Sequence, residues 1–130
     1  MGIDMKASGV HHVALRVTDF ERARRFYLEV LGFPAALEQP GLAIVLAGGT
    51  PVAIRGPAEA TSKGDRFDPF RVGLDHIALR CDEEGELERV ADALTEAGIW
   101  TTGVKTDETL GKRYVAFKDP EGIKWELYMS

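Results

Sequence analysis

The segment His12-Val13-Ala14-Leu15-Arg16 returns, about half a chain length later, as His76-Ile77-Ala78-Leu79-Arg80. In both copies apolar side chains alternate with the His, Ala and Arg positions, which is typical of a strand with one buried face. Self-similarity over such a distance indicates a duplicated unit. We therefore predict that the 130-residue chain is built from two copies of one module.

A helical pattern follows each copy of the repeat. Thr18-Asp19-Phe20-Glu21 has the spacing of a capping box, and apolar residues at the helical period, Val30 among them, continue from there to Gly32. A second helix is predicted from about Glu83 to Gly98, where glycine again ends the pattern. Each helix is expected to cover the outer face of a sheet.

Short β-type runs follow each helix, at residues 42–47 and 52–55 and again at 113–118 and 123–128. Gly48-Gly49 and Asp119-Pro120-Glu121-Gly122 are hairpin signals between them. We predict a single α+β domain of two βαβββ modules whose curved mixed sheets form a cleft. Module one spans about 9–56 and module two about 73–130. The linker at about 57–72 carries Phe67 and Phe70, which either pin it to the core or cover the cleft.

Composition excludes several classes of function. The net charge is −5 and the Lys and Arg residues form no stripe, so nucleic acid is not an expected partner. No apolar run approaches the roughly 20 residues of a membrane span, so no membrane association is expected. The single Cys81 allows no internal disulfide and is predicted to be a buried structural thiol, which suits the reducing cytoplasm.

The last apolar run contains a carboxylate that needs an explanation. Alternation places Lys124, Glu126 and Tyr128 on one face of this strand, with apolar side chains on the other. A carboxylate in such a core strand is costly unless it is solvated, paired or bound to a cation. With the two repeat-related histidines, Glu126 composes a 2-His-1-carboxylate set, His12, His76 and Glu126. Such a set binds one divalent ion (Fe, Mn, Zn, Ni or Co) and leaves positions open for substrate.

The other side chains expected near this site are basic or aromatic. Residues predicted to contact substrate are Arg55, Trp100, Lys124 and Tyr128, with a loop at residues 105–112 alongside. Tyr114 is either a half-buried wall residue or a substrate contact and general acid, with Glu126 as the second candidate catalytic group. This lining suits an anionic or aromatic small molecule.

Four segments resemble the signature of the vicinal oxygen chelate superfamily, which contains glyoxalases, bleomycin-resistance proteins and extradiol dioxygenases. They are HVALRVTD at 12–19, FYLEVLGF at 26–33, LDHIAL at 74–79 and DPEGIKWEL at 119–127. The resemblance implies paired βαβββ modules, a homodimer, and metal ligands where His12, His76 and Glu126 stand. It also implies that small members build each site from both subunits.

The chain departs from several relatives at informative positions. Ala53 stands where glyoxalase I places a fourth ligand carboxylate. Ala116 stands where ring-cleaving dioxygenases and fosfomycin-modifying enzymes place a Tyr, and alternation sends His11 away from the cleft. Two hypotheses therefore stay open. The chain is a metal-dependent lyase, isomerase or dioxygenase, or it is a metal-free protein that binds a flat or cationic drug, as bleomycin-resistance proteins do.

Overall fold

Two four-stranded mixed sheets and two helices make up the computed structural model, which describes residues 2–130. The first sheet contains β1 (Val13–Arg16), β2 (Ala35–Gln39), β3 (Leu42–Ala47) and β4 (Thr50–Arg55), and the second contains β5 (Ile77–Cys81), β6 (Thr101–Asp107), β7 (Lys112–Lys118) and β8 (Lys124–Met129). Helix α1 (Phe20–Arg25) continues as a π-helical turn (Phe26–Val30), and α2 spans Glu84–Glu96. The strand orders β1-β4-β3-β2 and β5-β8-β7-β6 are the same topology twice, which confirms the predicted α+β fold of two modules.

The start of α1 differs from the predicted capping box. Asp19 is the N-cap, and its carboxylate accepts a hydrogen bond from the Arg22 backbone N–H at 3.1 Å. The backbone N–H and the hydroxyl of Thr18 instead donate to the carboxylate of Glu121, in the turn between β7 and β8. The capping-box prediction is wrong because a carboxylate from the other module takes the place of Glu21.

The π-helical turn also changes which residues are buried. The Leu31 N–H donates to the carbonyl of Phe26 at 2.8 Å, five residues back instead of four. This wider turn rotates the following side chains relative to a regular α-helix. Val30, which the 3.6-residue period places on the buried face, is consequently 51% exposed.

Glycine ends α2 as predicted. Gly98 has φ +74°, and its N–H donates to the Thr95 carbonyl while the Ile99 N–H donates to the Leu94 carbonyl. This pair of bonds is a Schellman motif, which satisfies carbonyls at the helix end and favours glycine because the backbone is left-handed there.

The sequence pattern misses the two outer strands, β2 and β6. All five residues of β2 are exposed, and β6 begins before the segment predicted as a loop at 105–112. Lys105 instead pairs with Tyr114 across the β6–β7 ladder. An outermost strand buries few side chains, so it shows little apolar periodicity, and its pairing comes from backbone hydrogen bonds that the pattern does not record.

One hydrophobic cluster joins the helix-facing sides of both sheets. Its buried members come from β1, β3, β4, α1, α2, β7 and β8, and Tyr27 and Trp125 are completely buried within it. Phe67 packs against this cluster, whereas Phe70 is 95% exposed. Of these two residues, Phe67 is therefore the one that anchors the linker to the core. No helix among residues 2–130 has the length and apolar character to cross a membrane.

A buried hydrogen-bond network ties the modules together inside this core. The Tyr27 hydroxyl donates to Asp119 Oδ2 at 2.6 Å and accepts from Trp125 Nε1 at 2.9 Å. Asp119 Oδ1 accepts the backbone N–H groups of Glu121 and Ile123, which holds the turn before β8. Burial raises the pKa of Asp119 although these hydrogen bonds oppose the rise, and burial together with the charge of Asp119 raises the pKa of Tyr27.

Candidate metal-binding site

His76 and Glu126 meet on the face of the second sheet that is turned away from the helices. β5 and β8 run parallel with Ala78 opposite Glu126, so His76, just before β5, reaches the side chain of Glu126. His76 Nε2 lies 3.5 Å from Glu126 Oε1, and Glu126 is only 7% exposed. Two of the three predicted metal ligands are therefore adjacent in one chain.

Asp75 orients the imidazole of His76. Its Oδ1 lies 2.6 Å from His76 Nδ1, and because a carboxylate only accepts, Nδ1 carries the hydrogen. Nε2 is then the ring nitrogen on the side of Glu126. A carboxylate on the second nitrogen is the usual support of a metal-binding histidine. Sequence reasoning missed Asp75, although its position directly before His76 is a usable signal.

Lys124 is the second partner of the Glu126 carboxylate. Its Nζ lies 3.4 Å from Glu126 Oε2, and Lys124 and Glu126 are two residues apart on the same face of β8. The buried carboxylate therefore has a cationic neighbour on one oxygen and an imidazole on the other. This arrangement offsets the cost of removing its charge from water.

Tyr114 and Tyr128 pair across β7 and β8. Their rings are stacked, with centroids 5.8 Å apart and an interplanar angle of 14°. The Tyr128 hydroxyl donates to Asp107 Oδ2 at 2.7 Å. Partial desolvation, followed by this bond and the Asp107 charge, raises the pKa of Tyr128 to about 12, and the same bond lowers the pKa of Asp107. Asp107 was not predicted, because its role depends on the β6–β7 pairing that the pattern missed.

Trp100 provides an exposed aromatic surface before β6. Its side chain is 52% exposed, and Lys118 Nζ lies 4.5 Å from the centroid of its ring. Lys118 faces Lys124 across the β7–β8 ladder, so both ammonium groups border the same face as Glu126. The predicted basic and aromatic surroundings of Glu126 are thus brought together on the second sheet.

His12 and Arg55 lie on the first sheet instead. Both are exposed, Arg55 at the end of β4 and His12 just before β1. His12 Nδ1 is 2.9 Å from His11 Nδ1, so the two rings lie together rather than on opposite faces, because residues 11 and 12 precede the strand. Across residues 2–130, no three His, Cys, Asp or Glu side chains form a group that could hold a metal.

The repeated register shows why the first sheet has no counterpart of Glu126. β1 and β4 are parallel with Ala14 opposite Ala53, just as Ala78 stands opposite Glu126 in the second sheet. Ala53 is therefore the structural equivalent of Glu126. Ala116 stands opposite Glu126 on β7, so no hydroxyl reaches the carboxylate from that position.

The same four-strand topology occurring twice in one chain defines a class of two-module α+β proteins. Residues 9–127 match the model of the Glyoxalase/Bleomycin resistance protein/Dioxygenase superfamily. The chain belongs to that superfamily.

Individual relatives are similar over nearly the whole chain. The uncharacterized protein YwkD of Bacillus subtilis is 30% identical and covers 95% of this chain and 98% of its own length. The metallothiol transferase FosB of Staphylococcus saprophyticus is 25% identical and covers 92% and 75%. The crystal structure of a glyoxylase/bleomycin resistance protein/dioxygenase domain from Frankia sp. aligns with a TM-score of 0.80 at 26% identity, covering 96% of this chain and 93% of that one.

Proposed function

We propose that this chain is a divalent-metal-dependent enzyme acting on a small substrate that offers two neighbouring oxygens, in a reaction of the lyase, isomerase or dioxygenase type. The observation that carries the proposal is the His76–Glu126 pair, with Nε2 and Oε1 3.5 Å apart and Nδ1 held by Asp75. Imidazole and carboxylate ligands suit Fe, Mn, Zn, Ni or Co.

The third ligand in this proposal is His12 of a second copy of the chain. His12 occupies the position in the first repeat that His76 occupies in the second, and it is exposed. His12 belongs to the first sheet, whereas His76 and Glu126 belong to the second. The helix-facing sides of the two sheets pack into a single core. Their opposite faces therefore point away from each other, so a second copy is the natural source of His12 and of Arg55.

The chain's own residues would bind the substrate and hold its protons. Bound at this site, a divalent ion would act as a Lewis acid that polarises a substrate oxygen. Lys124, Lys118 and the Arg55 of a second copy would attract a carboxylate, and the Trp100 ring would cover an apolar portion. Tyr128 stays protonated near neutral pH because of its pKa of about 12 and its bond to Asp107. Tyr114, whose hydroxyl makes no hydrogen bond within residues 2–130, is the phenol free to donate a proton.

Two variants mixed together test both the metal and the shared site. His12→Ala and Glu126→Ala are each expected to lose bound metal, measured by elemental analysis after loading with Mn, Fe, Zn, Ni or Co. Co-expressed with different affinity tags, the two variants would form a hybrid dimer with one intact site and one site lacking both ligands. The expected result is one metal ion per hybrid dimer, against two for the unmodified protein.

Controls make the result specific. His11→Ala changes the neighbouring histidine and should leave the metal content unchanged. A hybrid dimer without metal would contradict the shared site. It would mean either that His12 and Glu126 of the same chain bind one ion together or that they bind no metal. An unmodified protein that binds none of the five metals, with no rise in melting temperature, would refute the enzyme proposal, since a ligand of the folded state must stabilise it.

One observation favours the second candidate function, a metal-free binding protein. Lys124 already lies 3.4 Å from Glu126, so the carboxylate has a cationic partner without any metal. In that case the stacked Tyr114 and Tyr128 and the exposed Trp100 would bind a flat ligand directly. Ligand binding that persists in Glu126→Ala and in the presence of a chelator would support this function over the first.

A further inference from the structure

A cavity lies on the helix-facing side of the sheet that carries Glu126. Its volume is about 400 Å³, within the range of small-molecule sites. It opens between the end of the π-helical turn, the start of α2 and strands β5 and β8. The apolar side chains of its wall are Leu31, Phe33, Leu79, Val90, Phe117 and Leu127.

Apart from Glu126, this cavity shares no lining residue with the proposed metal site. Glu126 borders it, but the Glu126 carboxylate is held by His76 and Lys124 on the other face of the sheet. The next residue, Leu127, faces the helix side and packs in the core beside Cys81. A ligand in the cavity would therefore contact the helix-facing side of β8, and the lining includes neither His76 nor Lys124.

The rim of the cavity carries an excess of negative charge. Arg89 is paired with Glu86, with Nε 3.0 Å from Oε2, so these two charges offset each other. Asp82 and Glu83 are exposed, and within residues 2–130 neither carboxylate forms a hydrogen bond or ion pair. Arg80 is the remaining cation on the rim, so two free carboxylates face one guanidinium.

We infer that this cavity binds a small amphiphilic monocation, an alkyl or arylalkyl ammonium whose apolar part fills the pocket and whose nitrogen pairs with Asp82 and Glu83. The apolar wall makes burial of a hydrocarbon chain favourable, at roughly 0.8 kcal/mol for each buried CH₂. The acidic rim favours a positively charged ligand over a negatively charged one. Neither the burial of the hydrocarbon nor the ion pairing involves a metal or a second copy of the chain, so the inference is independent of the proposed function.

Three ligands of equal chain length test the charge selection. Metal-free protein in a chelating buffer at pH 7 is titrated by calorimetry with n-octylamine, n-octanol and octanoate. Octylamine is expected to bind most tightly, octanol about three- to tenfold more weakly, as expected for two partly exposed ion pairs, and octanoate more weakly still. Octanoate binding as tightly as octylamine would overturn the inference.

Matched variants test the location. Asp82→Asn combined with Glu83→Gln should reduce octylamine affinity to that of octanol. Asp92→Asn with Glu96→Gln makes the same charge change within α2, away from the cavity lining, and should leave the affinity unchanged. Leu79→Phe fills the cavity and should abolish binding of all three ligands. Leu110→Phe makes the same substitution at an exposed turn, where Leu110 is 66% exposed, and should have no effect.

The remaining outcomes also decide the question. Unchanged octylamine affinity in the Asp82/Glu83 double variant would refute the charge pairing. The double variant alters only exposed side chains, so it tests the inference even if Leu79→Phe does not fold. Loss of octylamine binding in Trp100→Ala would place the ligand on the open face and overturn the proposed site.

Discussion

Tyr27→Phe removes one oxygen from the buried network between the modules. The lost bond to Asp119 Oδ2 is 2.6 Å long and involves a carboxylate, a class of hydrogen bond worth about 1.5–3 kcal/mol. The change also leaves the Trp125 indole N–H without its acceptor in a completely buried position, at a cost of about 1–3 kcal/mol. We expect the free energy of unfolding to fall by about 3–4 kcal/mol, out of a total of roughly 5–15 kcal/mol for a domain.

Urea denaturation followed by tryptophan fluorescence measures this loss. With a slope of about 1–3 kcal/mol per molar urea, the midpoint should fall by about 1–2 M or more. The Tyr27 bond lowers the pKa of Asp119, so it stabilises the ionised carboxylate. Its contribution is therefore present above the pKa of Asp119 and lost as the pH falls through it, and the difference between the two proteins should be larger at pH 7 than at pH 3.

Tyr114→Phe is the matched control, because it removes a hydroxyl with no hydrogen bond within residues 2–130 and retains the stack on Tyr128. Its unfolding free energy should change by less than about 0.5 kcal/mol. If Tyr27→Phe and Tyr114→Phe shift the urea midpoint equally, the buried network does not hold the modules together and the reasoning is wrong.

Three further predictions concern the turns and the open face. Tyr128→Phe should raise the pKa of Asp107 toward its ordinary value, as measured by NMR titration. In the unmodified protein the stabilisation from this pair should be present above about pH 4 and fade as the pH falls through the lowered pKa. An unchanged Asp107 titration would exclude the bond in solution. Glu121→Gln weakens the acceptor of Thr18 and should lower the unfolding free energy, measured by urea denaturation, by about 1 kcal/mol. An unchanged unfolding free energy would contradict this contact. Gly122→Ala should cost about 1–2 kcal/mol because φ is +88° there, whereas Gly49→Ala, without a positive φ, should cost nothing; equal melting temperatures would refute the strain argument.

The duplicated topology is compatible with the proposed site shared between two copies of the chain. Each sheet places a histidine just before its first strand, but only the second sheet adds a carboxylate, since Ala53 replaces it in the first. In the proposed metal site, His12 from the first sheet would join His76 and Glu126 on the second sheet. A site shared by two copies would use the histidine of the first sheet and the histidine–carboxylate pair of the second.

The local sequence pattern was enough to predict much of the fold of this protein. The copies at 12–16 and 76–80, the glycines after the helices and the turn at 119–122 predicted two modules of strand, helix and strands, which the two identical strand orders confirm. Alternation along β8 also placed Lys124, Glu126 and Tyr128 on one face correctly. These features depend on neighbours in sequence, because periodicity and backbone dihedral preference are local properties.

Tertiary contacts decided the rest. Glu121 bonds Thr18 from 103 residues away, and Tyr27 bonds Asp119 from 92 residues away, so neither the cap of α1 nor the core network follows from a nearby motif. The placement of His12 apart from His76 and Glu126 has the same origin. Two sheets that share their helix-facing sides in one core must present their other faces outward, and no spacing along the chain records which faces of two distant sheets are buried together.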